Sequence, residues 1–251
     1  MGKTGKSLCA VLGAVIVTAP AVPAAWAEDG VSARPAVTAP GRLRERDAQA
    51  ALHEVLQISL GEASERLGDV GAFAVGERYH IGLPDVFLAM RGDWNAVGRS
   101  GALSRLEEAM NRAAAAVAST AEPLLREKAA ELKFYDSVAV VMSGDQAGAK
   151  FFAMRARPEL EQRLRPVVAE ALAGAGAYAA LAEAAQAAGQ PAKAGAYKDL
   201  VIQRTLTGLL DAVFIETGRI EADLRAAPQG RGSPLLEQVF SRGAQTAGIS
   251  P

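Results

Sequence analysis

The chain has 251 residues, with 27 Lys and Arg against 28 Asp and Glu and a formal net charge of −1. That balance provides no basic excess of the kind nucleic acid or anionic lipid demands. The single cysteine, Cys9, rules out an intrachain disulfide, and abundant alanine with only 5% aromatic residues favours closely packed helices over sheet.

Residues 1–27 read as a cleavable signal peptide. Lys3 and Lys6 supply a positive start, Leu8 to Val17 an apolar run, and Ala25-Trp26-Ala27 a small-x-small site, so cleavage is expected between Ala27 and Glu28. Pro20 and Pro23 interrupt the apolar stretch, which is shorter than the ~20 residues a spanning helix needs. Export is therefore expected, to the periplasm first of all, with no integral span after cleavage. Removing 27 of 251 residues leaves 224, takes Cys9 away and shifts the charge to 25 basic against 28 acidic residues. Gly2-Lys3-Thr4-Gly5-Lys6-Ser7 imitates the end of a phosphate-binding loop, but no strand precedes it to aim its amides.

Residues 28–44 contain prolines and glycines and little to bury, and read as a disordered linker; 45–242 form one helical domain, and 243–251 a disordered tail. The first helix is predicted from Glu45 to Leu67, with Ala48, Leu52, Val55, Leu56, Leu60, Ala63 and Leu67 on one face and Gly61 a possible division. Gly68 to Leu83 reads as an ordered loop pinned by Phe73, Tyr79, Ile81 and Leu83. Pro84 suits a first helical position, in a helix reaching about Val97. A long helix starts near Gly101, with Ser100 as its cap, and carries Leu103, Leu106, Met110, Ala113 and Val117; Pro123 interrupts it, with Thr120 capping the next start. Asp136 and Asp145 are expected to cap two further helices, and Pro158 to open another, kinked or restarted at Pro166. Residues 169–196 are almost all alanine and glycine, compatible with a small-residue helical hairpin or a mobile loop. A last long helix is predicted over Tyr197 to Ala226, and a closing one from Pro234. The expected fold is thus all-α, a single-domain multi-helix bundle following the signal peptide.

Taken in order, Ile81-Gly82-Leu83-Pro84, Met110-Asn111-Arg112-Ala113-Ala114, Ser143-Gly144-Asp145, Phe151-Phe152, Arg165-Pro166 and Leu235-Leu236-Glu237-Gln238-Val239-Phe240 resemble the bacterial family DUF4197. The resemblance runs from about Leu52 to Phe240 and implies an all-helical exported or envelope protein, without assigning it an activity. The chain departs from the family pattern at Ala115 and Leu210, and Glu216 lacks a second acidic neighbour.

Chemistry-bearing residues are sparse. There is no Gly-x-Ser-x-Gly elbow and no Ser-x-x-Lys pair. His53 and His80 are the only histidines, too few and too far apart in sequence to suggest a metal site, and no cofactor is expected. The run Arg155, Arg157, Arg163, Arg165, interleaved with Glu159 and Glu161, reads as a solvated ion-paired face. Asn111 sits on an apolar stripe, where its amide needs a partner. It is either an interhelical register bond or a contact in a ligand groove, with Arg112 or Arg155 meeting an anion. Asn111, Arg112, Arg155 and Asp145 are the ligand-binding candidates, and no residue is assigned to catalysis. The expected function is non-catalytic binding of an envelope partner protein or a small apolar ligand. Two alternatives are a hydrolase of an envelope component using Asp136, Asp145, Asp199 and Glu216, and a peripheral membrane or assembly factor using the segment after Ala169.

Overall fold

Ala48, Leu52, Val55, Leu56, Leu60, Ala63 and Leu67 are fully buried in α1, Glu45–Gly68, which presents the predicted stripe to the core and carries Glu45 and Asp47 in its first turn, where carboxylates meet the positive end of the helix. The structure, a computed structural model, describes residues 43–69, 71–90 and 101–246, with no side-chain detail for 88–90 and 242–246. The expected signal peptide, its Ala27/Glu28 cleavage site, nearly all of the linker, the Ser100 cap and the end of the tail lie outside those residues.

Gly61 does not divide α1. A Cβ there would stand at ordinary contact distance, 3.5 Å from Glu122 Oε1 on α4, Glu122–Ala130, which packs against α1. Between them in the chain come α2, Asp85–Met90, and α3, Ala102–Thr120, which starts behind Gly101 at φ 63°. Thr120 does not cap α4, whose N-cap is Ala121; its hydroxyl turns back to the Ala116 and Val117 carbonyls, the alternative open to a threonine within a helix. Asp136 does cap α5, Ser137–Met142, accepting from Ala139 N at 2.8 Å.

Neither the helix start expected at Pro158 nor a restart at Pro166 is present: α6 runs unbroken over Ala147–Gly174 with both prolines inside it. Phe152, Ala156, Leu160, Leu164, Val168 and Leu172 recur every fourth residue and are all buried, whereas both prolines are exposed. The carbonyls they leave without an amide partner, on Met154 and Gln162, belong to exposed residues that water can serve, so the buried stripe outweighs the proline penalty.

The alanine- and glycine-rich stretch is helical, with a corner of 72° in place of the hairpin. The end of α6 turns at Gly176, φ 79°, into α7, Ala177–Ala187, and a 3₁₀ turn at Pro191–Lys193 leads into α8, Ala194–Ala226. Ala177, Ala180, Ala184 and Ala185 on α7 pack against α3, whose own buried Ala109, Ala113, Ala114 and Ala118 let the two backbones come close. Finally α9, Pro234–Thr246, buries Leu236, Val239 and Phe240. Helices α6 and α8 run antiparallel, tied by Arg157 to Asp211 and Arg165 to Asp199, and α8 also packs along α1 and α3. Among the described residues there is no strand.

Candidate functional site

The loop between α1 and α2 contains successive four-residue turns, with Ala72 N donating to Asp69 O, Ala74 N to Gly71 O, Glu77 N to Ala74 O and His80 N to Glu77 O. Phe73 is buried, while Ala74 to Arg78 at the loop tip are exposed. The next four residues are each gripped by a different side chain. Tyr79 Oη donates to Glu216 Oε2 at 2.5 Å, and His80 Nε2 lies 3.0 Å from Glu107 Oε1. Asn111 Oδ1 accepts from Ile81 N while its Nδ2 donates to Ile81 O, both at 2.9 Å, and Arg204 Nε donates to Gly82 O at 3.0 Å. The outer two grips come from α8 and the inner two from α3, so this short segment lies between those two helices. Gly208 on α8 is required there, because a Cβ would sit 2.8 Å from Ile81 Cγ1.

Asn111 therefore works as a strand partner would, matching one residue's N–H and C=O, and its second amide hydrogen reaches Glu107 O at 2.8 Å. Its hydrogen-bonding capacity is largely committed to the loop, which is the register role anticipated for it, with a loop in place of a helix as partner.

Between the loop and α3 lies a cavity of about 510 Å³, lined by Phe73, Ala74, Val75, His80, Ser104, Glu107, Glu108, Asn111 and Arg112. One wall is apolar, and Val75 on it is 80% exposed. The opposite wall, one face of α3, is polar. His80 ties the two together, with Nδ1 3.2 Å from Phe73 O and Nε2 against Glu107. Arg112 Nη2 donates to Ala175 O at 3.1 Å, fastening α3 to the α6–α7 turn, and its Nη1 is 3.8 Å from Glu108 Oε2.

Behind the loop, Glu216 is 3% exposed and holds Tyr79, Arg66 at 2.8 Å and Arg219 at 2.9 Å. Burial pushes its carboxyl up, but the hydrogen bonds from Tyr79 and Arg66 and the nearby guanidinium charges prevail and hold it below the usual range. Burial and the same carboxylate push the Tyr79 phenol up.

Of the four candidates read from the sequence, Asn111 and Arg112 share this cavity. Arg155 lines a separate space of about 270 Å³ with Lys128, Lys133, Tyr135 and Glu159, its guanidinium 5.5 Å from the Phe151 ring. Asp145 stands exposed ahead of α6 and does not cap it; the N-cap is Gln146, without a side-chain bond. The carboxylate that serves α6 is Glu221, wholly buried on α8, which accepts from Gly148 N at 3.0 Å and Ala149 N at 2.6 Å and pairs with Arg225 at 2.6 Å. Burial pushes its carboxyl above the usual range. Sequence reading missed this residue because its partners lie 72 and 73 positions away. His80, Glu107 and Glu108 were missed as a group for the same reason, although His80 and Glu107 carry the chemistry that marks a polar site. His53 packs edge-on against Phe134 and bonds the Ala129 carbonyl.

Asp136, Asp145, Asp199 and Glu216 share no partner: the first caps α5, the second is exposed without a bond, the third pairs with Arg165, and the fourth holds the loop. Among the described residues no group of three or more His, Cys, Asp or Glu side chains is placed to hold a metal ion. No single described helix is long and apolar enough to cross a membrane; α6 and α7 pass such a test only as a pair bent by 72°.

Fold and cavity together define an all-helical bundle with a mixed apolar and polar pocket beside a multiply anchored loop. The sequence pattern of the family described as a protein of unknown function, DUF4197, matches residues 42–241, and the chain belongs to that family. No curated protein and no solved structure gives a significant match.

Proposed function

We propose that this is an exported, periplasmic binding protein that holds a small, largely apolar ligand in the cavity between the loop and α3, without transforming it. The cavity itself carries the reading. Its volume falls in the range of small-molecule sites, and it sets an uncovered apolar wall opposite a few fixed polar groups. Its walls are held by rigid elements: Phe73 in the core, and residues 79–82 gripped from α3 and α8. Binding is favoured over catalysis because the ring nitrogens of His80 face Phe73 O and Glu107 Oε1, and neither is bonded to Ser104. Export rests on the character of residues 1–27.

Native mass spectrometry of protein purified from its own cells tests this. The expected spectrum has a second species heavier by a small-molecule mass, lost in Ala74→Trp, whose indole fills the exposed wall. A bare polypeptide mass from several growth conditions would contradict it. The hydrolase reading has no shared cleft for its four carboxylates. The membrane reading rests on the composition of α6 and α7, whose leucines Leu160, Leu164, Leu172 and Leu181 are turned inward.

A further inference from the structure

We infer that His80 is a proton-dependent latch, which fastens the loop tip to α3 as an imidazolium and loosens it as the neutral ring. Its Nδ1 lies 3.2 Å from Phe73 O and its Nε2 3.0 Å from Glu107 Oε1. A carbonyl oxygen and an ionised carboxylate have no hydrogen to give, so both bonds exist together only when each ring nitrogen carries one. A proton resting on Glu107 instead of Nε2 gives the same count, since the pair still holds one more than a neutral ring beside a carboxylate. The neutral ring has a single N–H for two oxygens, and its lone pair is left aimed at the second. His53 meets no such demand: its Nδ1 bonds one carbonyl, that of Ala129.

The place of this ring in the fold gives the missing bond an effect. Phe73 O and His80 bracket the exposed tip, and Ala74 to Arg78 have no hydrogen bond of their own to α3. The His80 and Glu107 side chains are 22% and 23% exposed, so water replaces a lost bond between them only in part. The other charged groups around the ring have their own places. On α3, Glu108 and Arg112 line the same cavity and stand 3.8 Å apart; on the loop, Glu77 and Arg78 are exposed. From α1 and α8, Arg66 and Arg219 bond Glu216 beside Tyr79, and Arg204 bonds Gly82 O. Glu107 is thus the one carboxylate bonded to the ring, and the width of the cavity follows the protonation of one side chain.

Ring-nitrogen NMR of the intact labelled protein, with amide protection factors measured at the same pH values, tests the latch. Protection at Ala74 and Glu77 is expected to fall at least about threefold as the His80 ring passes from doubly protonated to neutral. Ile81, whose amide is held by Asn111, is expected to keep its protection. In Glu107→Gln the new amide donates to the Nε2 lone pair, so the neutral ring makes both bonds and the fall is expected to vanish. Equal protection with the charged and the neutral ring in the wild-type protein would overturn the latch. A fall that persists undiminished in Glu107→Gln would overturn it too, and if that variant does not fold, the wild-type comparison alone decides.

Discussion

Glu221 and Glu216 stand five residues apart on α8, both almost without solvent contact, and they behave oppositely because of what surrounds them. Glu221 has one cation, Arg225, which is itself almost buried, stacks 4.7 Å from the Phe240 ring and donates to the Val141 and Gly144 carbonyls. Removing the carboxylate by Glu221→Ala strands that guanidinium and two helix-start amides, and is expected to cost about 3–5 kcal/mol in urea unfolding. Gly148→Ala forces the same carboxylate aside, since the new Cβ would lie 2.8 Å from Oε1. The pH dependence separates the two glutamates. The folded-state pKa of Glu216 is lowered, so its stabilisation is present above the unfolded value of 4.5 and is lost as pH falls through the folded value. That of Glu221 is raised, so its contribution is greatest below 4.5 and declines as pH rises through the folded value. Glu216→Gln is therefore expected to flatten acid destabilisation below about pH 5, and Glu221→Gln to leave it intact or steeper, as read from urea midpoints against pH. Asn111→Leu, which breaks three hydrogen bonds and leaves the Ile81 N–H and C=O unpaired, is expected to cost about 2–4 kcal/mol. It should also speed hydrogen exchange at Ile81 more than at Leu106; equal effects at both amides would show that Asn111 does not specifically hold the loop.

At the scale of elements, helix starts in this protein are served from a distance. Glu45 on α1 accepts from Ser137 N and Val138 N at the start of α5, Glu221 serves α6, and Glu54 on α1 takes the amide and hydroxyl of Ser233 just before α9. Local capping rules found Asp136, whose own side chain closes α5, but misplaced the role at Thr120 and Asp145, because no sequence window spans the 72 residues between Ala149 and Glu221. Stripes were legible for the converse reason. The apolar face of α1 repeats within a few turns, and so did the buried face of α6, but its prolines argued locally for a break that packing overrides. Restoring a missing amide on that exposed face by Pro158→Ala is expected to stabilise the fold by about 1–2 kcal/mol, the regained hydrogen bond and relief of ring strain exceeding the added unfolded-state freedom. A loss of stability would mean that the proline ring at 158 is worth more to the fold than the missing hydrogen bond. The helical corner of α6 and α7 could not be told from a loop by composition alone, since alanine serves both; what decides it is the matching small-residue face of α3.

For the whole molecule, the candidate site arises where three separate stretches meet: the loop after α1, the middle of α3 and two anchor points on α8. Asn111 pointed to it from sequence because a polar residue on an apolar stripe demands a partner, and Arg112 did so only as its neighbour. Val75, Glu107 and Glu108 carried no such signal, being ordinary in a loop and on a helix surface until placed opposite each other. Amino-terminal sequencing of the protein from its host's periplasm is expected to begin at Glu28, and recovery of the unprocessed chain from the cytosol alone would remove export. The most direct measurement is a crystal structure of the intact protein purified, without added ligand, from its own cells. It should show ordered non-protein density between the Phe73–Val75 wall and the carboxylates of Glu107 and Glu108. A cavity holding only water, with bound density elsewhere on the bundle, would contradict the assignment.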